Sequence, residues 1–343
     1  MKLIRTEDAV GHVLCHDMTR IVKDEFKGPA FRKGHVVQPE DIPVLLSMGK
    51  ETLYVWEKQP GMLHEDEGAE ILYRICAGDS ENLLPTDIKE GKIEVKANID
   101  GLFLVDNARL QAINSLGDMM IATRHGHLPV KKGDKLAGTR VIPLVIHEDR
   151  LKQAQQLAGD TPILQLLPFH HKKVGIVATG SEVKKGLIKD TFTPVLEAKV
   201  QEFGTGVLGH TYPGDDPSAI TADILAFRKQ GADLILCSGG MSVDPDDKTP
   251  LAIKNTGASI VSYGAPVLPG AMLLVSYLEE NVPVIGLPGC VMYAKRTVFD
   301  LILPLLMADV PVTARDLSAM GQGGLCLNCP ECHYPNCGFG KGW

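Results

Sequence analysis

Long apolar runs are missing from this sequence. No stretch of its 343 residues approaches the roughly 18 consecutive apolar residues of a membrane-spanning helix, and the nearest run, Leu301 to Ala308, is flanked by Asp300 and Asp309. Basic excess is missing too. Thirty-five Lys and Arg face 42 Asp and Glu, for a net charge of −7. That balance argues against a general nucleic-acid or anionic-membrane binder, which needs a basic face. The opening MKLIRTEDAV has no apolar signal core, so a cytoplasmic location is expected, with cysteines as thiols or metal ligands and not disulfides. No internal repeat stands out, and no Ser, His and Asp fall at an interpretable catalytic spacing.

What is present suffices for a sizeable core. Hydrophobic residues make up 44% of a chain long enough for two or three domains. Residues 1–58 read as a mixed α/β segment, with a helix in PEDIPVLLSMG between Pro39 and Gly49 and a strand in TLYVW. Residues 59–170 read as a β-rich α+β domain. Its expected helices are HEDEGAEILYRICAG and DNARLQAINSLG, its strands KIEVKANI, GLFLV and TRVIPLVI, and EDRLKQAQQLAG serves as a linker helix.

Residues 171–312 are regular. Apolar strands in KKVGIVAT, VLGHTYP, ADLILCSGG and VPVIGLPG alternate with helices. Thr193-Pro194 and Asp216-Pro217 each pair a cap with a proline at a helix start, and Thr249-Pro250 opens a short helix through Asn255. The last helix is expected over VMYAKRTVFDLILPLLMA, interrupted at Pro304. Alternating strands and helices predict a doubly wound, mostly parallel α/β sheet, preceded by smaller α+β segments; burial on both faces explains the unbroken apolar strands. Residues 313–343 form a cysteine-rich tail.

Ligands of such sheets bind beyond the carboxyl ends of the strands. Three strands end in ATGSE, CSGGMSVDPDD and GLPGC. Gly239 and Gly240 let backbone approach a ligand and aim N–H groups at it. Asp244, Asp246 and Asp247 would repel a bare phosphate but suit a divalent cation lying between carboxylate and phosphate oxygens. The plainer alternative is a solvated acidic loop.

These pieces resemble a known family. ATGSE, GDDP, SGGMSVDPDDKTP, VLPGAM and GLPGC occur in the order found in the molybdopterin-binding domain of molybdopterin molybdenumtransferases and adenylyltransferases. GPAFRKGHVVQPEDIPVLLSMGKETLYV resembles the piece that precedes this domain in the molybdenumtransferases. The resemblance implies a role in molybdenum cofactor biosynthesis and a pterin phosphate ligand, molybdopterin or its adenylylated form. One implied reaction activates the phosphate with ATP; the other inserts molybdate and releases AMP. Asp247 and Asp215 are then the catalytic carboxylates, with Mg2+ on Asp247. Thr179, Gly180, Ser181, Glu182, Asp216, Ser238, Gly239, Gly240, Ser242, Pro269, Gly270, Pro288 and Gly289 line the ligand. Asp216 is also a plain helix cap. Homo-oligomers and partners among molybdoenzymes or cofactor-pathway proteins are implied, and nucleic acid and membrane are not.

Ser181 stands where the family carries an acid, Asp244 replaces a glycine, and Leu268, Ala271 and Met272 replace the polar and proline positions of the usual KPGKP. Cys290 and Val291 replace Asn-Pro. The missing lysine weakens molybdate insertion more than phosphate activation. It also keeps open a non-catalytic molybdopterin carrier or sensor with a metal- or redox-responsive tail.

Of the eight cysteines, Cys15, Cys76, Cys237 and Cys290 are scattered and read as core residues. Cys326, Cys329, Cys332 and Cys337 follow C-x2-C-x2-C-x4-C, one residue longer than a bacterial iron–sulfur run and without its final proline. Zinc or an iron–sulfur cluster fits, with His333 able to replace one thiolate for zinc; a flexible thiol tail is the alternative. Tyr334, Phe339 and Trp343 are expected to pack the tail.

Overall fold

The computed structural model describes residues 2–22, 26–55, 60–242, 244–245 and 247–342. The expected boundary at 58–59, the end of the TLYVW strand at Trp56, and the aromatic Trp343 lie outside the described residues, as does Asp246. Among the described residues no helix is long and apolar enough to cross a membrane. The chain divides into two compact units. Residues 1–96, 106–124 and 135–165 form one; residues 97–105, 125–134 and 166–343 form the other.

In the first unit, Lys2–Arg5 pairs antiparallel with Thr52–Val55 and Met18–Val22 with Phe26–Phe31. The helix Asp41–Ser47 covers a small core that includes Leu14, Val37, Leu45 and Leu53. A larger sheet runs in the order Leu83–Pro85, Lys92–Ala97, Lys135–Val141, Met119–Thr123. The helix Glu65–Ala77 packs on it at Gly68, where a Cβ would come 2.6 Å from Val141 Cγ2. TRVIPLVI is two strands and not one: Lys135–Val141 ends before Pro143, and Val145–His147 pairs instead with Met62–His64. A proline donates no ladder hydrogen bond, which ends the first of them. Leu151, Ala154 and Ala158 of the helix Glu148–Ala158 are buried within this unit.

The second unit holds a six-stranded sheet in the order Val207–Thr211, Val174–Ala178, Leu234–Ser238, Pro283–Leu287, Leu274–Tyr277, Ser259–Tyr263. The first four are mutually parallel, and the last two extend the sheet antiparallel. Side chains alternate between two cores. Ile176, Leu236 and Ile285 face Leu196, Val200 and the helix Val298–Met307. Val177, Ile235, Cys237 and Val284 face Ile220, Ile224, Phe227 and Ile253 on the other side. Such double burial requires apolar residues at every strand position. Gly175 admits the Phe227 ring, which a Cβ there would meet at 2.6 Å.

Two helix starts differ from expectation. Thr193 does not cap its helix. Phe192–Gln201 begins earlier, because the Asp190 carboxylate accepts from the N–H groups of Phe192 (2.8 Å) and Thr193 (3.2 Å). The helix that closes 171–312 is Val298–Met307, preceded by a short 3-10 turn at Gly289–Met292. Thr297 and Asp300 form a capping box that sets its start, and Pro304 lies inside without breaking it.

Candidate functional site

The chain leaves Val174–Ala178 toward Val207–Thr211 on one side, then returns to Leu234–Ser238 on the other. That reversal is the switch point at which open parallel sheets place their ligand crevice. The loops beginning at Thr179 and at Gly239 both leave from it.

Two threonines lock these loops together. The Thr179 N–H donates to the Ser238 carbonyl at 2.8 Å, and its hydroxyl to the same oxygen at 3.1 Å. The Thr249 hydroxyl, 3.3 Å from that of Thr179, donates to the Gly239 carbonyl at 2.8 Å. The Thr249 N–H donates to the Gly240 carbonyl at 3.1 Å. Gly239 (φ 84°) and Gly240 (φ 57°) turn left-handed here. A Cβ on the first would lie 2.7 Å from Thr179 Oγ1, and on the second 2.8 Å from Thr249 Oγ1. Both positions therefore demand glycine. Among the described residues, the N–H groups of Gly239, Gly240, Met241 and Ser242 donate to no protein acceptor. The Ser238 hydroxyl, fully buried, also has no partner. A run of unspent donors at a strand end is what an anion binds.

The carboxylates have divided duties. Asp215 Oδ2 accepts from the Ser181 N–H at 2.8 Å, tying the first loop to the GDDP segment. Asp216 caps Pro217–Lys229 through the Ser218 N–H (3.1 Å). Asp247 Oδ2 accepts from the Asp244 N–H at 3.0 Å and closes its own loop. Oδ1 of Asp215 and of Asp247 makes no hydrogen bond among the described residues. The Tyr263 hydroxyl donates to the Met241 carbonyl at 2.7 Å. Burial, with the Asp247 carboxylate second, pushes its phenol up from the ordinary range.

The other expected residues take varied positions. Gly180 (φ 122°) opens a single turn, and Glu182 and Ser242 are exposed. The Pro269 carbonyl accepts from the Val298 N–H at 3.1 Å, and Gly270 (φ 124°) leaves no room for a Cβ beside Val298. Pro288 is buried at the start of the Gly289–Met292 turn, and Gly289 is exposed. No hydrogen bond links Asp247 to Asp215 among the described residues. Nor do three His, Cys, Asp or Glu side chains gather there as a metal cage.

Cys15, Cys76 and Cys237 are buried, and burial pushes the Cys76 thiol up to about 12. Cys290 is half-buried. The four tail cysteines, with His333, line one cavity of about 660 Å3 that also reaches Pro269. In the first unit a cavity of about 380 Å3 is lined by His16, Lys50, Glu65, Glu90 and Arg140. The first-turn acids of HEDEG hinted at Glu65 only as helix charge. Thr249 was legible only as a helix start, and its bond to Gly239 depends on strand pairing.

Residues 175–308 match the family described as "Probable molybdopterin binding domain", and residues 3–57 match a domain of unknown function. The molybdopterin molybdenumtransferase of Synechococcus elongatus is 28% identical over 180 residues, 50% of this chain and 42% of its own. A CinA-like protein of Mycolicibacterium gilvum is 39% identical over 77 residues, 22% of this chain and 18% of its own. The chain thus spans less than half the length of these relatives. The molybdopterin biosynthesis enzyme MoaB of Thermus thermophilus aligns with 39% of this chain and 91% of its own at 21% identity, with a TM-score of 0.33.

Proposed function

We propose, from the premise that residues 175–308 form a domain of the molybdopterin-binding family, that this protein acts in molybdenum cofactor biosynthesis as a transferase on a pterin phosphate. The ligand is molybdopterin or its adenylylated form. The observation that carries this reading is the N–H run from Gly239 to Ser242, which among the described residues has no protein acceptor and is held by Thr179 and Thr249 at the sheet's switch point. Those donors take the ligand phosphate. Asp215 holds the neighbouring loop in place through Ser181.

The carboxylates suit Mg2+ brought in with a phosphate. Magnesium keeps several waters and takes only one or two protein carboxylates beside phosphate oxygens, and Asp247 Oδ1, without a hydrogen bond among the described residues, is such a donor. Asp247 Oδ1 would hold the ion, which when bound neutralises phosphate charge. ATP activation of the phosphate, with release of pyrophosphate, is the first reaction. Molybdate insertion with release of AMP is the second, weakened by Leu268, Ala271 and Met272 where an anion-facing lysine would stand. Those same three residues favour the second reading, a carrier that binds molybdopterin without turnover. The tail's four cysteines hold zinc or an iron–sulfur cluster.

Purified protein incubated with molybdopterin, ATP and Mg2+ should yield adenylylated product and pyrophosphate. Tight binding without product would favour the carrier; no binding would sink both readings. Asp247→Asn is expected to lower Mg2+-dependent turnover about 10²-fold while the fold is kept. Turnover equal to wild type would remove Asp247 from the reaction.

A further inference from the structure

The cleft of the first unit is built from residues outside the family match at 175–308. His16, Lys50 and Tyr54 come to it from the segment that matches a domain of unknown function, and Glu65, Arg140 and Leu144 from the chain that follows. Hydrogen bonds fix its floor. The Glu65 N–H donates to the Leu144 carbonyl at 2.9 Å. His64 Nδ1 lies 3.0 Å from the Lys33 ammonium, which can only donate, so the ring hydrogen sits on Nε2 and is given to the Cys15 carbonyl at 2.7 Å. Lys33 also pairs with Asp66, whose Oδ1 accepts from the Gly91 N–H at 3.2 Å. Met18 is 2% exposed and Glu65 6%, whereas Tyr54 and Ile142 are 45% and 59% exposed and stand at the mouth.

This frame leaves a particular set of groups unengaged. The buried Glu65 carboxyl makes no hydrogen bond or ion pair among the described residues. His16 Nδ1 is buried without a partner. The half-buried Lys50 ammonium and Arg140 guanidinium have no acceptor among the described residues. A buried polar group without a partner costs free energy, which a ligand with complementary groups recovers. The charges decide which ligand. Burial first, then Asp66 and Glu90, push the Glu65 carboxyl up to about 7 against the pull of Arg140 and Lys33, so below neutral pH it is a hydrogen-bond donor and carries no charge. Burial, Lys50 and His64 hold His16 below the ordinary histidine range against Asp17 and Glu90, so its ring is neutral there too. Two cations are left, and a planar guanidinium matches a planar two-oxygen anion. Asp17, which accepts from the Lys33 N–H at 2.8 Å, and Glu90, beside the Thr19 hydroxyl, line the same cleft. Their charges repel a dianion more than a carboxylate. Met18, Ile142 and Leu144 add an apolar wall.

We infer that this cleft binds a small organic carboxylate, its oxygens on Arg140 and Lys50 and its apolar body against Met18 and Leu144. A protonated Glu65 donates its O–H to the bound anion, and an ionised Glu65 repels it. Titration calorimetry of the full chain with benzoate tests this. Benzoate should bind at about pH 6 and clearly more weakly at about pH 8, on either side of the Glu65 titration. Benzamide has the body without the charge and sulfate the charge without the body, so both should bind far less than benzoate at the lower pH. Arg140→Gln should weaken benzoate about tenfold or more, the loss of a charge-assisted hydrogen bond. Glu65→Gln offers an amide N–H in place of the carboxyl O–H and cannot ionise, so it should bind benzoate at the lower pH and keep that affinity at the higher one. No benzoate binding at the lower pH would overturn the inference. Equal binding of benzamide would refute the anion, and equal binding of sulfate would refute the organic carboxylate. Unchanged affinity in Arg140→Gln would place the site elsewhere. Should that variant fail to fold, Glu65→Gln decides alone, since a pH profile like the wild type's would remove Glu65 from the site. None of these outcomes bears on pterin binding, which is measured separately by the adenylylation assay.

Discussion

Replacing Asp300 with alanine is expected to cost about 3–5 kcal/mol of stability, the range for breaking a buried ion pair from one side. The carboxylate is 4% exposed. Its Oδ1 accepts from Lys199 Nζ at 2.6 Å and from Arg296 Nη1 at 2.9 Å. Its Oδ2 accepts from the Thr297 N–H at 2.7 Å and closes the capping box of Val298–Met307, a helix buried at every position. Alanine would strand the Lys199 ammonium in the core and uncap that helix. Arg296 would suffer less, because it keeps Glu202 at 3.0 Å. Asn at 300 preserves shape and part of the bonding but not the charge, so its loss should be smaller. Urea unfolding of wild type, Asp300→Ala, Lys199→Met and the double variant would measure the coupling. Lys199→Met removes the stranded cation, so the double variant should lose clearly less than the two single losses added together. Strict additivity would mean that the pair is not coupled and that the cost lies in the cap alone.

The sheet was legible because double burial writes itself into composition. VGIVA, LILCS and PVIGL are strands at or near the expected positions, and Asp216-Pro217 caps its helix as read. The antiparallel pair Ser259–Tyr263 and Leu274–Tyr277 was not legible. SIVSY is an edge strand with no fully buried side chain, so it lacks the apolar run that marked its neighbours. Cap-proline dipeptides misled where a nearby acid competed. Asp190 outbid Thr193 for the cap. The apolar text of VMYAKRTVFDLILPLLMA hid a start set by Thr297 and Asp300. In the candidate site, the glycine pair could be read as a cradle from its place after a strand. The locks that hold it, from Thr179 to Ser238 and from Thr249 to Gly239, join residues far apart in sequence and exist only once the strands pair. The same holds for the bond from Ser181 to Asp215.

Stability of the first unit should fall as pH rises from about 4.5 to 7, by roughly 3 kcal/mol, on account of Glu65. This carboxyl is 6% exposed and makes no hydrogen bond or ion pair among the described residues. Gly91 (φ 65°) backs it so closely that a Cβ there would lie 2.7 Å from Glu65 Cβ. Burial first, then the neighbouring Asp66 and Glu90, push its pKa from 4.5 to about 7, against the pull of Arg140 and Lys33. The folded chain therefore keeps a proton that the unfolded chain has released. Below about 4.5 both states are protonated and the stability is fully present. Between 4.5 and 7 the unfolded state ionises alone and gains. Above 7 both are charged and the loss is complete. His16 and His64 act in the opposite sense. Burial lowers both, so their neutral forms favour the fold as pH rises through the ordinary histidine range. Glu65→Gln separates the two effects, because glutamine keeps the shape and cannot ionise. Its melting midpoint should match the wild type near pH 4.5 and exceed it at pH 8, with the gap opening across the interval. Parallel pH profiles for variant and wild type would show that Glu65 is not the titrating group. A gap that opened downward would show that the ionised carboxylate is stabilised in the fold, by Arg140 above the cost of its burial.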